Sequence, residues 1–253
     1  MKIFAISDPH LSFGTEDKSM DVFGPEWSGH PGPMAEKWRD LVSADDLVLL
    51  AGDISWAKRV ENALPDLDFI ASLPGRKVMI RGNHDYWWAS RSKVRALLPE
   101  GLFIVQNDAL LLDGVALGGS RLWDDPEIDL GPIAQRPSER ACDVATAVPR
   151  PPAESEKIFS RELNRLRLSL SELDRAADLK VAMVHYPPTS PALEDRRATA
   201  VIEESGVDHC VFGHLHQILP RSQNPLFGRR NTTTYSLTSC DYLEFAPLLI
   251  AEV

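Results

Sequence analysis

The segment at residues 81–85, Arg-Gly-Asn-His-Asp, carries three side chains that could bind a metal ion or transfer a proton: Asn83, His84 and Asp85. It follows the apolar run at 77–80 without a linker. Such a run predicts a short buried strand, and open α/β folds keep their sites at the carboxyl ends of such strands. On its own, the tetrapeptide Gly-Asn-His-Asp is equally compatible with a turn that contains a hydrogen-bonded histidine. The case for a functional site therefore depends on similar motifs elsewhere.

Two aspartate motifs follow the first two predicted strands. Asp8 and His10 come after the first strand, and Pro9 favours an extended backbone at Asp8, so that the two side chains can converge. Asp53 follows the second strand, and Gly52 allows a tight turn that would expose it at the sheet edge. An aspartate there could bridge two metal ions through its two oxygens. Seen alone, however, an Asp-x-His sequence more simply indicates a polar turn.

Histidines follow two predicted strands in the second half of the chain. His185 follows the apolar run at 180–184, and His214 and His216 follow the run at 209–212. Two residues at i and i+2 of an extended segment project to the same side, so both could face one metal cluster. Of the seven histidines in the chain, five lie in these strand-end motifs, whereas chance placement would scatter them.

Together the motifs supply imidazole, carboxylate and amide ligands but no thiolate. The candidate metal ligands are Asp8, His10, Asp53, Asn83, His185, His214 and His216. Such a set suits Mn, Fe, Zn, Ni or Co better than a structural cysteine zinc site. The three cysteines, Cys142, Cys210 and Cys240, are an odd number without close spacing, which predicts reduced thiols rather than disulfides.

The elements that must position these motifs are predicted to begin as a βαβαβ pattern of an α/β fold. Further along, the sequence predicts a β-meander at 102–105, 109–112 and 115–117, an amphipathic helix at 154–177, and closing strands at 232–238 and 244–253. The apolar stripe of the long helix indicates a core face or, alternatively, a dimer contact, so the chain is expected to be a monomer or a homodimer.

One domain is predicted over residues 1–253, with irregular insertions near 11–33 and 123–152. Loops of this length are usually lids or binding loops, and the first is the leading candidate for substrate contact, although no individual substrate-binding residue is assigned. Four aromatic residues next to the motifs could either wall a pocket or pack beneath it: Trp56, Tyr86, Trp87 and Trp88.

Composition limits the class of protein. The formal net charge of −10 argues against a general nucleic-acid surface, because phosphate contacts need clustered Lys and Arg. It leaves open a small anionic substrate that is bound by metal ions. No apolar run approaches the roughly 18 residues of a membrane span, and the first run lacks the features of a signal peptide. A cytoplasmic protein without membrane association is expected.

The order Asp-x-His, Gly-Asp, Gly-Asn-His-Asp, His and Gly-His-x-His resembles the calcineurin-like metallophosphoesterase superfamily, over residues 8–216. The motifs around His185 and His214 are most similar to its bacterial phosphodiesterase-like branch. The resemblance implies an α/β fold, a four-layered α/β/β/α sandwich with a dinuclear metal centre at the carboxyl ends of its strands. The implied cofactors are two divalent or trivalent transition-metal ions, Mn and/or Fe first, with Zn, Ni or Co as alternatives.

The resemblance also implies a role for each matching residue. One metal would be bound by Asp8, His10 and His216, the other by Asn83, His185 and His214, and Asp53 would bridge them. His84 would be catalytic, donating a proton to the leaving group or stabilising developing charge, and Asp85 would orient its ring.

The expected reaction is hydrolysis of a phosphate ester by a metal-bridging hydroxide, with a small phosphate ester as substrate. A phosphodiester, such as a cyclic nucleotide or nucleotide-like compound, ranks first and a phosphomonoester second. Protein phosphatases of the superfamily read Gly-Asp-x-x-Asp-Arg-Gly, whereas residues 52–57 read Gly-Asp-Ile-Ser-Trp-Ala, and Trp56 is not the tyrosine ligand of purple acid phosphatases. A non-catalytic metal-binding scaffold is the third alternative.

Overall fold

The computed structural model describes residues 1–15, 18–130, 133 and 151–253. The strands are β1 (Lys2–Ile6), β2 (Leu47–Leu50), β3 (Arg76–Met79), β4 (Leu102–Ile104), β5 (Ala109–Leu112), β6 (Val115–Ser120), β7 (Leu179–Val184), β8 (His209–Phe212), β9 (Arg229–Arg230), β10 (Thr233–Leu237) and β11 (Leu248–Glu252). The α-helices are α1 (Pro31–Leu41), α2 (Val60–Ser72), α3 (Arg91–Arg95), α4 (Pro152–Ser171) and α5 (Arg197–Glu204).

The described strands form two sheets. The first has the order β11-β1-β2-β3-β4, and all neighbours except the antiparallel β11 are parallel. The second has the order β5-β6-β7-β8-β10-β9, in which β6, β7, β8 and β10 are parallel. Parallel strands end at a common edge, so each sheet presents several carboxyl ends side by side.

The inner faces of the two sheets share an apolar core. Alternate residues of β1, Ile3 and Ala5, belong to one buried cluster with residues of the other sheet, among them Leu117, Val181 and Val211. The outward residues Phe4 and Ile6 belong instead to the cluster that includes the helices. Because both faces of the strands are buried, the strands read as continuous apolar runs rather than as alternating ones.

Helices cover the outer faces and complete the predicted four-layered α/β/β/α sandwich. Trp38 of α1 and Ile70 of α2 are fully buried, as are Phe159 and Leu166 of α4. The amphipathic helix predicted at 154–177 is therefore observed as a core-facing helix, which begins at Pro152 and ends at Ser171. Because its apolar stripe packs in the core, the alternative of a dimer contact through that stripe is not supported, and a monomer or homodimer remains a prediction.

Two sequence predictions need correction. The predicted β-meander is wrong, because β4 pairs with β3 in the first sheet whereas β5 and β6 form an antiparallel pair in the second. The first insertion is less irregular than expected, because 3-10 turns occupy Met20–Phe23 and Pro25–Trp27 and α1 begins at Pro31. Most of the second insertion, 131–132 and 134–150, lies outside the described residues.

Among the described residues, no helix combines the length and the apolar composition that crossing a membrane requires.

Candidate active site

The predicted site residues meet where the carboxyl ends of both sheets face each other. Strands β1, β2 and β3 end at Ile6, Leu50 and Met79, and strands β7 and β8 end at Val184 and Phe212. Each of these ends is followed within four residues by one of the predicted motifs. The structure therefore brings together the seven candidate metal ligands from five separate stretches of the chain.

One group of ligand atoms comes from Asp8, His10 and His216, which can each offer one atom within 4.8 Å of the others. The Nε2 atoms of His10 and His216 are 3.3 Å apart, and Nε2 of His216 is 3.8 Å from Oδ1 of Asp8. The same Nε2 atom of His10 is 3.8 Å from Oδ2 of Asp53.

A second group surrounds the amide oxygen of Asn83. Its Oδ1 is 2.7 Å from Nε2 of His185 and 3.0 Å from Nδ1 of His214. Nε2 of His185 is also 3.4 Å from Oδ2 of Asp53. Oδ2 of Asp53 thus lies near a ligand atom of each group, so a single oxygen of this carboxylate, rather than its two oxygens as expected, faces both groups.

The donor set fits two metal ions with nitrogen and oxygen ligands. Ligand atoms about 2.1 Å from a metal lie roughly 3.0–3.4 Å apart at tetrahedral or octahedral angles, close to several of the separations seen here. The Nε2 atoms of His10 and His216, 3.3 Å apart, can share one proton in a hydrogen bond, and the same separation suits two nitrogen ligands of one metal ion. Carboxylate, amide and imidazole donors without thiolate favour Mn, Fe, Zn, Ni or Co.

The electrostatics of the buried imidazoles agree with cation binding. Burial lowers the pKa of His10 and of His214 well below the usual value, which favours the neutral, ligating form. Burial also acts to lower the pKa of His185, but the carboxylates of Asp53 and Asp8 outweigh it and raise the value to about 9. The carboxylates therefore favour a positive charge at this point, which a proton or a metal ion can supply.

Left-handed backbone conformations aim the ligands at the centre. Asp8, His10, Asp53 and His214 have φ angles of 57°, 45°, 53° and 72°. Each such residue costs on the order of 1–3 kcal/mol, and such strain is concentrated at functional sites. Sharp turns after β1, β2 and β8 are thus part of how the side chains converge, and the extended backbone expected at Asp8 and His214 is wrong.

Two glycines permit the close approach of these turns. A Cβ atom at Gly82 would lie 2.0 Å from Oδ1 of Asp53, and one at Gly213 would lie 2.2 Å from Oδ2 of Asp8. Since real Cβ atoms do not approach oxygen atoms this closely, any side chain at either position would displace a candidate ligand.

Hydrogen bonds hold the two aspartates in place. The hydroxyl of Ser7 and the backbone N–H of His214 donate to Oδ2 of Asp8, at 2.6 and 3.0 Å. The backbone N–H of His84 donates to Oδ1 of Asp53 at 2.7 Å, which leaves Oδ2 directed at the imidazoles. These contacts fix the orientation of both carboxylates before any ligand arrives.

The structure contradicts the predicted role of Asp85. The buried carboxylate does not orient the ring of His84. It accepts a hydrogen bond from the indole N–H of Trp87 and further ones from the backbone N–H groups of Asp53, Ile54, Ser55 and Gly82. Nδ1 of His84 is buried without a hydrogen-bond partner among the described residues. Asp85 thus joins the turn after β2 to the turn after β3.

Aromatic side chains enclose the histidines. Trp56 stacks on His10, with centroids 4.8 Å apart and planes at 22°, and lies 4.5 Å from the ring of His84. Trp27, from the first insertion, packs edge-on against His10 and His216. Part of this insertion therefore forms a wall of the centre.

The three aromatic residues that follow Asp85 differ in role: two pack beneath the centre and one could form part of a pocket wall. Trp87 and Trp88 are buried and pack within the core, whereas the side chain of Tyr86 is 56% exposed. Its ring centroid lies 6.2 Å from that of His84, on the open side of the centre.

Sequence reasoning missed Asp241, which positions His216. Oδ1 of Asp241 accepts a hydrogen bond from Nδ1 of His216 at 2.9 Å, and Oδ2 accepts one from the N–H of Gln217 at 2.9 Å. Burial acts to lower the pKa of His216, but the charge and hydrogen bond of Asp241, together with the charges of Asp8 and Asp53, outweigh it and raise the value to about 9. Asp241 follows the end of β10, a parallel strand at the same sheet edge, and that placement was the available signal.

His185 is oriented in a similar way by the backbone. Its Nδ1–H donates to the carbonyl oxygen of Ala51 at 2.9 Å, which leaves the lone pair of Nε2 for a ligand. Hydrogen bonding at the other ring nitrogen is how proteins generally fix the tautomer and orientation of metal-binding histidines.

Two mycobacteriophage proteins are similar to part of the chain. A protein of the mycobacteriophage D29, Gene 66 protein, is 34% identical over 83 residues, 33% of this chain and 40% of its own length. Its counterpart in the mycobacteriophage L5 is 39% identical over 56 residues, 22% of this chain and 27% of its own length. The chain thus spans less than half the length of the curated relatives it matches.

A solved structure shares the fold at low sequence identity. The phosphopantetheinyl hydrolase PptH from Mycobacterium tuberculosis superposes with a TM-score of 0.51 and 18% identity, covering 94% of this chain and 88% of the other. The model of the calcineurin-like phosphoesterase family matches residues 1–218, which include all seven candidate ligands but not the positioning residue Asp241. The chain belongs to the calcineurin-like phosphoesterase family, whose members depend on a dinuclear metal centre.

Proposed function

We propose that this chain hydrolyses a phosphodiester, with two metal ions bound by the seven candidate ligands. The observation that carries the proposal is the convergence of ligand atoms from both sheets around Oδ2 of Asp53, with His84 beside them. When bound, such a pair of metal ions polarises the phosphoryl oxygens and lowers the pKa of bound water. Family membership supports the same class of reaction.

The ligands divide into two sets that share one carboxylate. Asp8, His10 and His216 would hold one ion and Asn83, His185 and His214 would hold the other, with Asp53 shared between the two sets. Mn and Fe are our first candidates, with Zn, Ni and Co as alternatives. All five metals accept mixed imidazole and carboxylate ligands. Reconstitution with single metals decides among them.

His84 is the proposed proton donor to the leaving group. Its ring lies 5.6 Å from that of His10 and 4.5 Å from that of Trp56, at the edge of the centre rather than within a ligand group. Trp56 restricts the ring from one side, and the backbone N–H of His84 is fixed by Asp53. A group in this place can reach a departing oxygen while remaining free of the metal ions.

Two recesses on different sides of the centre favour a diester over a monoester. A recess of about 750 Å³, with Phe23, Ile218 and Phe245 in its lining, adjoins Asp241 and therefore the His216 side. A smaller cleft of about 160 Å³ begins at Arg81 and Arg121 and adjoins the Asn83 side. A diester carries an organic group on two of its oxygens, so each group has a recess available.

The test is turnover by the stripped protein reloaded with Mn, Fe, Ni, Zn or Mg. Bis(p-nitrophenyl) phosphate is expected to be cleaved faster than p-nitrophenyl phosphate, and a 2′,3′- or 3′,5′-cyclic nucleotide tests a natural type of diester. A clear preference for the monoester would reverse the ranking and make the chain a phosphomonoesterase. Binding of two metals per chain without turnover of any ester would favour the non-catalytic scaffold.

His84→Ala tests the proton donor specifically. An alkoxide leaving group needs a proton, whereas p-nitrophenolate leaves without one, so the variant should lose about 10²–10⁴-fold in turnover of the nucleotide and much less with the aryl ester. Metal content should stay at two per chain. His209→Gln is the matched control, because His209 begins β8 at the end opposite the centre. Equal losses with both substrates would refute proton donation.

A further inference from the structure

Four arginines surround one buried glutamate in the cleft next to Asn83. The cleft has a volume of about 160 Å³ and lies between the ends of β3, β4 and β6 and the middle of α4. We call it the arginine cleft, and its charged lining consists of Arg81, Arg121, Arg161, Glu162 and Arg165.

The positive charges of the arginine cleft exceed what Glu162 can balance. Glu162 is 2% exposed, and its Oε1 lies 2.7 Å from Nη1 of Arg165, 3.2 Å from Nη2 of Arg161 and 3.7 Å from Nη2 of Arg121. Three guanidinium groups thus share one carboxylate oxygen. With Arg81 the lining carries four positive charges and one negative charge, a local surplus of three in a chain with a formal charge of −10.

Arg81 contributes a donor without an acceptor. Its Nε is buried and has no hydrogen-bond partner among the described residues. Leaving a buried donor unsatisfied costs about 1–3 kcal/mol, and more for a charged group. Neutralising the charge of Glu162 does not account for the presence of Arg81, because Glu162 already has three closer guanidinium partners.

The arginine cleft shares the end of β3 with the candidate metal centre and adjoins the end of β7. Arg81 precedes the candidate ligand Asn83 by two residues, so the two Cα atoms are separated by at most about 7.6 Å. The carbonyl oxygen of Arg121 accepts the backbone N–H groups of His185 and Tyr186, both at 3.1 Å. A molecule whose phosphate lies at the centre can therefore extend a second group into the cleft.

We infer that the arginine cleft binds a second phosphate of the substrate, a phosphomonoester group separate from the ester that is hydrolysed. The inference rests on the proposed function and names its substrate class, diesters that carry an additional terminal phosphate. Guanidinium groups match phosphate geometry with paired N–H donors, and the excess charge supplies the attraction. An anion there also gives Arg81 the acceptor that it lacks.

The test compares two substrates that differ by one phosphate. Thymidine 5′-(p-nitrophenyl phosphate) and its 3′-phosphorylated form are assayed with the metal-loaded protein. The 3′-phosphate is expected to lower KM at least about 10-fold in the wild-type protein and in Arg167→Gln, an exposed arginine of α4 outside the cleft. The ratio of the KM without the 3′-phosphate to the KM with it should fall to about one in Arg81→Gln. If Arg81→Gln fails to fold, the same result is expected in Arg161→Gln.

Two results would overturn the inference: no advantage of the 3′-phosphate in the wild-type protein, or an advantage that persists in both cleft variants. If neither ester is hydrolysed, the proposed function fails. The arginine cleft is then tested separately, by measuring nucleotide binding. Thymidine 3′,5′-bisphosphate should then raise the Tm of the metal-loaded protein more than thymidine 5′-monophosphate does, and Arg81→Gln should abolish the difference. Equal shifts with both nucleotides count against the cleft.

Discussion

Replacing Asp241 with asparagine should weaken metal binding at the group of Asp8, His10 and His216. The carboxylate of Asp241 receives two N–H donors, Nδ1 of His216 on one oxygen and the N–H of Gln217 on the other, each at 2.9 Å. An asparagine offers one acceptor oxygen and one NH₂ group. One of the two donors must therefore face another donor.

The magnitude follows from which donor loses its acceptor. If it is His216, the proton has to move to Nε2, the atom that lies 3.3 Å from Nε2 of His10 and that would bind the metal. If it is Gln217, a largely buried N–H remains unsatisfied at a cost of about 1–3 kcal/mol. Losing such an outer hydrogen bond typically costs 10–100-fold in metal affinity or activity, which corresponds to about 1.4–2.7 kcal/mol.

The assay is metal affinity of the refolded variant, measured by competition with a chelator, together with turnover at saturating metal. Glu244→Gln is the matched control, since it makes the same change of charge at an exposed side chain three residues away. We expect about 10–100-fold weaker binding at one of the two sites in Asp241→Asn and no change in the control. Identical affinities in the variant and the wild-type protein would refute the reasoning.

Two further predictions concern stability. Gly213→Ala places a Cβ 2.2 Å from Oδ2 of Asp8, so it should lower the free energy of unfolding by about 1–3 kcal/mol and reduce the amount of bound metal. Gly32→Ala is the control and should change neither, because no atom lies within 4 Å of its Cβ. Equal behaviour of the two variants in urea denaturation and metal analysis would contradict this prediction. Burial raises the pKa of Asp66 to about 6, although hydrogen bonds from Ser55 and Phe13 act to lower it. Between about pH 4 and 6 the folded protein therefore holds a proton on Asp66 that the unfolded chain releases, and the stabilisation from this proton is lost as the pH rises. Asp66→Asn should therefore gain up to about 2–3 kcal/mol relative to the wild-type protein between pH 4.5 and 7.5, and a pH-independent difference in unfolding free energy would exclude the effect.

The sequence was informative wherever a ligand directly follows a buried strand. Asp8, Asp53 and His185 could be placed because short apolar runs mark parallel strands, and the carboxyl ends of such strands share an edge. The contact of Trp27 with two histidine rings was not foreseeable in detail, since the first insertion has no periodicity that would fix its path. Tertiary packing alone determines that contact.

The errors have physical reasons of the same kind. Sequence spacing put Asp85 next to His84 but could not show that the turn directs its carboxylate back onto backbone N–H groups. Asp241 lies outside the histidine and aspartate motifs that mark the other strand ends, and its role depends on His216, 25 residues earlier in the chain. The meander was mispredicted because short strands separated by Asp or Gly look alike whether they share a sheet or change from one sheet to the other.

The pairing of β1 with β11 has a consequence for how the chain folds. Lys2 pairs with Glu252, so β1 has a neighbour on only one side until β11, 250 residues later in the sequence, has been synthesised. Until then it is an apolar edge strand, which can pair with other chains. Contacts this distant in sequence also form slowly, because a very large loop has to close first. Expression conditions that slow synthesis or supply chaperones should therefore matter more for this protein than its ordinary composition suggests.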